Sequence, residues 1–292
     1  MSRFVIKNIE NREQSEGAGA KVRRSIGTGQ LRNLDPFLML DEFNSGEPAG
    51  FPDHPHRGFE TVTYLLSGKF EHEDFCGHRG VIEAGDLQWM TAGRGIVHSE
   101  MPIGKERSHG LQLWINLAKE YKMVEPSYQE LKDSQIPRKS ENGVHVKVIA
   151  GESMGIESPV YTRTPTMYLD FKLEKGASFT QAVPTDWNAF IFILSGSGLF
   201  GAINKLVKGD AHYTLVLSPG DSVHFKNEQS ELLHFVLIAG KPLNEPVVQH
   251  GPFVMNTQEE IYKTFSDYQN GKNGFERAPG WRSKGIERSL VR

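Results

Sequence analysis

Two short stretches of the sequence carry side chains in an order that suits metal chemistry. The first is Gly50-Phe51-Pro52-Asp53-His54-Pro55-His56-Arg57-Gly58-Phe59-Glu60, in which His54 and His56 stand two residues apart. On an extended strand that spacing turns both imidazoles to one face, so the pair can chelate. The second is Gly93-Arg94-Gly95-Ile96-Val97-His98-Ser99-Glu100-Met101-Pro102, where His98 and Glu100 repeat the same period. On neighbouring strands of one barrel, the two pairs would bring three imidazoles and one carboxylate to a single interior point. Such a donor set, free of thiolate, suits a first-row divalent ion such as iron, manganese, nickel, copper or zinc. Four protein donors on an octahedral ion leave room for substrate together with dioxygen or water. A lone histidine is more often a satisfied core or turn residue than a ligand, but two same-face pairs in one strand-rich region reverse that balance. Glu60 would share the face of His54 and His56 on an unbroken strand, yet Pro55 and Gly58 interrupt the register.

Pairs of this kind need a framework of strands, and the chain supplies one twice. Thr61-Val62-Thr63-Tyr64-Leu65-Leu66-Ser67-Gly68 resembles Ala189-Phe190-Ile191-Phe192-Ile193-Leu194-Ser195-Gly196. Val81-Ile82-Glu83-Ala84-Gly85-Asp86 likewise resembles Val216-Leu217-Ser218-Pro219-Gly220-Asp221. Apolar, β-branched or aromatic runs that end in Ser-Gly read as a buried strand and a turn. The offsets of 128 and 135 residues fit one duplication with a loop insertion. Further strands are expected at 110–116, 144–149, 166–173 and 232–238, spaced as in antiparallel sandwiches and barrels. Helix signals are few. Thr257-Gln258-Glu259-Glu260 reads as a capping box, followed by Ile261, Phe265 and Tyr268 at helical spacing and by Gly271 as a stop. A second candidate lies near 117–123. The segment 135–143 reads as a linker, which divides an all-β chain into domains at 1–134 and 144–292, the second including the C-terminal helix and a basic tail.

Composition limits the function classes. With 292 residues, 38% hydrophobic and 24% charged, the chain has ample material for one large core or two ordinary ones. The single cysteine, Cys76, excludes an internal disulfide framework and a Cys-rich zinc module, and a reducing compartment is the simplest home. No apolar run reaches membrane-spanning length, and the first residues lack the apolar stretch of a secretory signal, so no membrane role is expected. The net charge of −3 conceals an uneven distribution. Residues 11–34 carry Arg12, Lys21, Arg23, Arg24 and Arg32 against Glu13 and Glu16. Residues 271–292 carry Lys272, Arg277, Arg282, Lys284, Arg288 and Arg292 against Glu276 and Glu287. Two basic ends thus flank an acidic body. The glycines of 11–34 suggest a mobile loop that exposes Lys21, Arg23 and Arg24 to an acidic partner. With no zinc finger, basic zipper or recognition helix, autonomous sequence-specific DNA binding is not expected.

The run from Asp53 to Thr61, Leu87-Gln88-Trp89-Met90-Thr91-Ala92-Gly93-Arg94-Gly95 and His98-Ser99-Glu100-Met101-Pro102 together resemble the signature of the pirin family, within the cupin superfamily. The likeness extends to Val22-Arg23-Arg24-Ser25-Ile26-Gly27, Tyr161-Thr162-Arg163-Thr164-Pro165-Thr166 and Gln249-His250-Gly251-Pro252-Phe253-Val254-Met255-Asn256, covering nearly the whole chain. The resemblance implies a bicupin: two antiparallel, jelly-roll-like β-barrels with few short helices and one mononuclear non-haem iron. The iron would sit in the first barrel, on His54, His56, His98 and Glu100. It implies quercetin 2,3-dioxygenase activity, opening a flavonol with dioxygen, with Glu100 as a candidate base. It also implies a role in nucleus and cytoplasm as a transcription co-regulator that binds Rel-type factors; a non-enzymatic, iron redox-switched co-regulator is the alternative. Because pirins take their carboxylate from the second motif, Glu60 becomes an outer or structural residue. Both barrels are complete within one chain, so a monomer is expected.

The repeat offers an internal comparison. The 128 offset carries His54, His56 and Glu60 to Ala182, Pro184 and Asn188, and the 135 offset carries His98 and Glu100 to Leu233 and Phe235. These cannot chelate as a set and His234 is one residue off register, so the second barrel is expected to be a metal-free scaffold or partner-binding unit. Three other features have bland readings. Cys76-Gly77-His78 is a turn rather than a nucleophile pair, because no third group orients it. Gly93-Arg94-Gly95 is a turn presenting His98. Phe51, Phe59, Trp89, Met90 and Met101 are core residues first and lining for an aromatic-tolerant pocket second.

Overall fold

The computed structural model describes residues 1–285; Glu287, Arg288 and Arg292 of the basic tail lie outside the described residues. The chain forms two compact units, each built from a seven-stranded and a four-stranded antiparallel sheet. Both units draw on discontinuous pieces of the chain. One comprises Glu13–Arg24, Phe37–Asp133 and the residues from Leu243 onward, and the other comprises Met1–Arg12, Ser25–Pro36 and Ser134–Pro242.

These boundaries correct the contiguous division at 135–143. Val5–Glu10 pairs with Tyr213–Leu217, so the N-terminal strand belongs to the second barrel. The C-terminal helix belongs to the first, where Ile261 packs with Met90, Ile96, Phe253 and Phe275. Residues 135–143 are no linker either. Arg138–Glu141 and Val144–Ala150 form a hairpin around Asn142-Gly143, both at positive φ, as a two-residue Asn-Gly turn requires. The glycine-rich 11–34 segment holds the paired strands Glu13–Glu16 and Ala20–Ile26 instead of a loop.

The helix at Gln258–Asn270 has the expected caps. Thr257 Oγ1 accepts from Glu260 N, the Glu260 carboxylate accepts from Thr257 N, and Gly271 closes the helix in the left-handed conformation. The candidate near 117–123 is only a 3-10 turn, Lys119–Tyr121.

Sheet order also corrects the alignment of the repeat. In the first unit the four-stranded sheet runs Phe51–His56, Ile96–Pro102, Lys69–Asp74, Arg79–Glu83. In the second it runs Ser178–Ala182, Ser222–Lys226, Ser197–Ala202, Lys205–Asp210. The counterpart of the His98 strand is therefore Ser222–Lys226, and Leu233 and Phe235 lie on the counterpart of Ser108–Asn116. On Ser222–Lys226 the buried residues are Val223 and Phe225, with Phe225 opposite Phe179. Phe171, Phe200, Phe225 and Phe235 pack ring to ring at 4.8–5.5 Å. Each such ring gains about 1.5–3 kcal/mol on leaving water, and together they fill the interior of the second barrel. Where the first barrel sets imidazoles, the second sets phenylalanines.

Candidate metal centre

The Phe51–His56 strand runs antiparallel to Ile96–Pro102, with His98 directly opposite His54 and Ile96 opposite His56. Directly opposed residues share a face, as do residues two apart, so all three imidazoles converge. Their ring centroids are 4.4 Å (His54–His98), 4.7 Å (His54–His56) and 5.0 Å (His56–His98) apart. One donor nitrogen from each lies within 4.8 Å of the others. His56 and His98 are 1% exposed, and neither ring nitrogen of either residue meets a hydrogen-bond partner. A buried polar atom left unpaired costs about 1–3 kcal/mol, so these orphaned nitrogens fit a bound cation. His54 is half-buried and its Nδ1 lies 2.7 Å from the Pro52 carbonyl. A carbonyl only accepts, so Nδ1 carries the proton and Nε2 keeps the lone pair for a metal.

Burial first, and then repulsion from neighbouring imidazoles, hold the His56 and His98 pKa values well below the ordinary value of 6.5. Both rings are thus neutral, the form a metal requires. A depressed histidine pKa means that the unfolded chain binds protons the folded chain refuses, so stability present above pH 6.5 is lost as pH falls below it. Each such proton contributes about 1.4 kcal/mol per pH unit. Metal-stripped protein is therefore expected to lose stability in urea unfolding as pH falls from 6 to 5. In a His56→Gln, His98→Gln double variant the slope should flatten, and equal slopes would refute the assignment.

Glu100 stands beyond a register shift that follows His98 and is also buried, but its carboxylate is not among the three mutually close donors. Thr63 Oγ1 donates to Glu100 Oε1 at 2.8 Å, and Gln112 Nε2 donates to Oε2 at 3.2 Å. Neither Thr63 nor Gln112 stands out in the sequence; an inward polar residue on an otherwise apolar strand was the available signal. Glu60 lies on the opposite face of its strand from Thr63, and its carboxylate accepts from Trp89 Nε1 at 3.1 Å and Thr91 Oγ1 at 2.7 Å. It holds two strands together and does not join the imidazoles.

Of the aromatic candidates, Phe59 reaches the site, with its ring 5.1 Å from that of His56. Trp114, which the sequence reading missed, lies 5.2 Å from His56 and 4.5 Å from Phe59. Phe51 packs instead with Phe43 and Phe70, Met90 joins the core beneath the helix, and Trp89 serves Glu60. The Asp74 carboxylate caps the Cys76 turn by accepting the N–H groups of Cys76 and His78. Burial, followed by the Asp74 charge, raises the Cys76 pKa, which disfavours thiolate. The expected exposure of Arg23 and Arg24 is corrected. Arg24 pairs with Glu16 and the buried Asp41, both at 2.7 Å, and Arg23 lies 3.8 Å from Glu13 and from Glu42. Lys21 alone of the three is exposed.

A family model described as Pirin matches residues 19–115, and one described as Pirin C-terminal cupin domain matches residues 168–274. Pirin from Homo sapiens is 60% identical over 284 residues, covering 97% of this chain and 98% of its own. The chain belongs to the pirin family. Within that family, a pirin-like protein from Solanum lycopersicum is 60% identical over 97% of both chains. The crystal structure of quercetin 2,3-dioxygenase from Acinetobacter baumannii superposes with a TM-score of 0.84 at 33% identity, over 94% of this chain and 99% of that one. The two units are thus the paired cupin barrels of a pirin, with the imidazole cluster in the first. Among the described residues, no helix is long and apolar enough to cross a membrane.

Proposed function

We propose that the chain is an iron-dependent dioxygenase that opens the ring of a flavonol such as quercetin. The observation that carries this reading is the trio His54, His56 and His98, whose two fully buried members have unpartnered ring nitrogens, set in a fold shared with a quercetin 2,3-dioxygenase. Iron bound there would supply Lewis-acid and redox chemistry toward substrate and dioxygen. His54, His56 and His98 would hold the ion. Glu100, as a fourth donor or a released base, takes the proton of the flavonol 3-hydroxyl, while Thr63 and Gln112 orient its two oxygens. Phe59 and Trp114 give the site a flat apolar wall suited to an aromatic ligand. His54, the half-buried member, marks the side open to solvent. After anaerobic reconstitution with ferrous iron, quercetin and air should yield loss of the flavonol absorbance and release of carbon monoxide. The same turnover in His56→Ala would defeat the proposal.

The alternative, a co-regulator of nucleus and cytoplasm that binds Rel-type factors, rests on the family and draws less from the residues, because Arg23 and Arg24 are already engaged by carboxylates. Equal partner affinity in the ferrous and ferric forms would remove its redox switch.

A further inference from the structure

The backbone turns sharply just after the ligand His56, and two buried cations hold that turn. Arg57, 1% exposed, points away from the imidazoles and uses nearly all of its donors. Nη1 donates to Asp267 Oδ2 at 2.9 Å and Thr264 Oγ1 at 3.1 Å, Nη2 to the Asn273 carbonyl at 2.7 Å, and Nε to the Arg94 carbonyl at 2.6 Å. The Phe275 ring lies 4.7 Å from its guanidinium carbon. Lys122, equally buried, donates from Nζ to the carbonyls of Gly58 at 2.9 Å and Val254 at 3.1 Å and to Asn116 Oδ1 at 2.6 Å. The main chain adds Arg57 N to Pro252 O at 3.3 Å and Val254 N to Arg57 O at 3.0 Å.

Most of these partners belong to residues 252–275, about two hundred positions along the chain from His56. They include the two polar residues, Thr264 and Asp267, that the helix buries beside Ile261. A helix that needed only to cover a core would have no reason to bury a threonine and an aspartate. Their burial is explained by the guanidinium, which fixes the helix to the strand that carries two of the three imidazoles.

We infer that the C-terminal segment 252–275 is a working part of the metal centre, with Arg57 and Lys122 as positioning residues that set His56 through the Asp267–Thr264 clamp and the Gly58–Val254 contact. The inference rests on the reading of the imidazole trio as a metal site and goes beyond it, since the dioxygenase reaction itself requires no such segment. Outer partners that orient a ligand are typically worth about 10–100-fold in metal affinity.

The test uses the full chain and cobalt(II) alone as probe, read by its visible absorption and by competition with a chelator. Asp267→Asn and Lys122→Met should each weaken cobalt binding by about 10–100-fold and shift the cobalt spectrum. Either change risks unfolding, so Thr264→Ala and Thr264→Ser form the milder pair. The alanine variant should lose several-fold in affinity, and the serine variant, which keeps the hydroxyl, should recover it. A Phe235→Leu variant, destabilised in the other barrel, should bind like wild type with an unchanged spectrum. Undiminished affinity and an unaltered spectrum in the folded clamp variants would overturn the inference while leaving the metal site intact. Failure of the wild-type chain to bind cobalt would instead defeat the metal assignment and, with it, this inference.

Discussion

Replacing His98 with alanine is expected to lower the affinity for a divalent metal by about 1,000-fold or more, beyond the about 10–100-fold that loss of an outer partner costs. His98 is the member of the trio that faces both others across the sheet, at 4.4 and 5.0 Å between ring centroids. Without it, the imidazoles that remain belong to two residues of one strand, which hold an ion from one side only. The stability consequence depends on the metal. In the stripped chain the substitution removes a desolvated imidazole whose nitrogens have no partner, so the change should stay within about 1 kcal/mol. In wild-type protein with metal at 100 times its dissociation constant, binding adds about 2.7 kcal/mol, and the variant should forfeit that increment. Urea unfolding with and without metal measures both quantities. A variant that metal stabilises as strongly as it does wild type would show that the ion sits elsewhere.

Gly58→Ala is expected to be among the most destabilising single substitutions in the chain, at about 3–5 kcal/mol. Gly58 has φ +89°, and a Cβ there would stand 1.9 Å from the Val254 carbonyl oxygen and 3.1 Å from its carbon. That carbonyl cannot retreat freely, because Lys122 Nζ holds it together with the Gly58 carbonyl. Gly77 provides the control. Its φ of +94° imposes comparable backbone strain, but a Cβ there meets nothing within 4 Å, so Gly77→Ala should cost only about 1–2 kcal/mol. The difference isolates the close approach of the C-terminal segment to the strand that carries His54 and His56. Equal losses in the two variants would mean that the contact yields without cost. Since Gly58 follows His56 by two residues, metal affinity should fall in the first variant and not in the second.

The imidazole trio was legible because both histidine-bearing stretches are strands, and a period of two alone turns His54 and His56 to one face. The helix caps were legible for a similar reason, since a capping box is written within four residues. Glu100 shows where local reasoning weakens. The period of two is interrupted by a register shift after His98, and the carboxylate is oriented by Thr63 and Gln112 from other strands. The repeat was visible, yet its second half was paired one strand out of step. Several strands are short apolar runs of similar composition, and only hydrogen-bonded neighbours distinguish Ser222–Lys226 from Leu233–Gly240 as the partner in position.

The sequence by itself determined the all-β character, the duplication, the histidine pairs that meet in one cluster and the family, because each is written in residue types at short separation. The tertiary structure alone decided that the terminal segments change places, so that the first strand completes the second barrel and the last helix the first. It also decided that Arg24 is tied to Asp41, and that Arg57 and Lys122 reach across the chain to Asp267 and Val254. A buried charge must find its partner wherever folding brings one, and the free energy of that pairing leaves no periodic mark on the sequence.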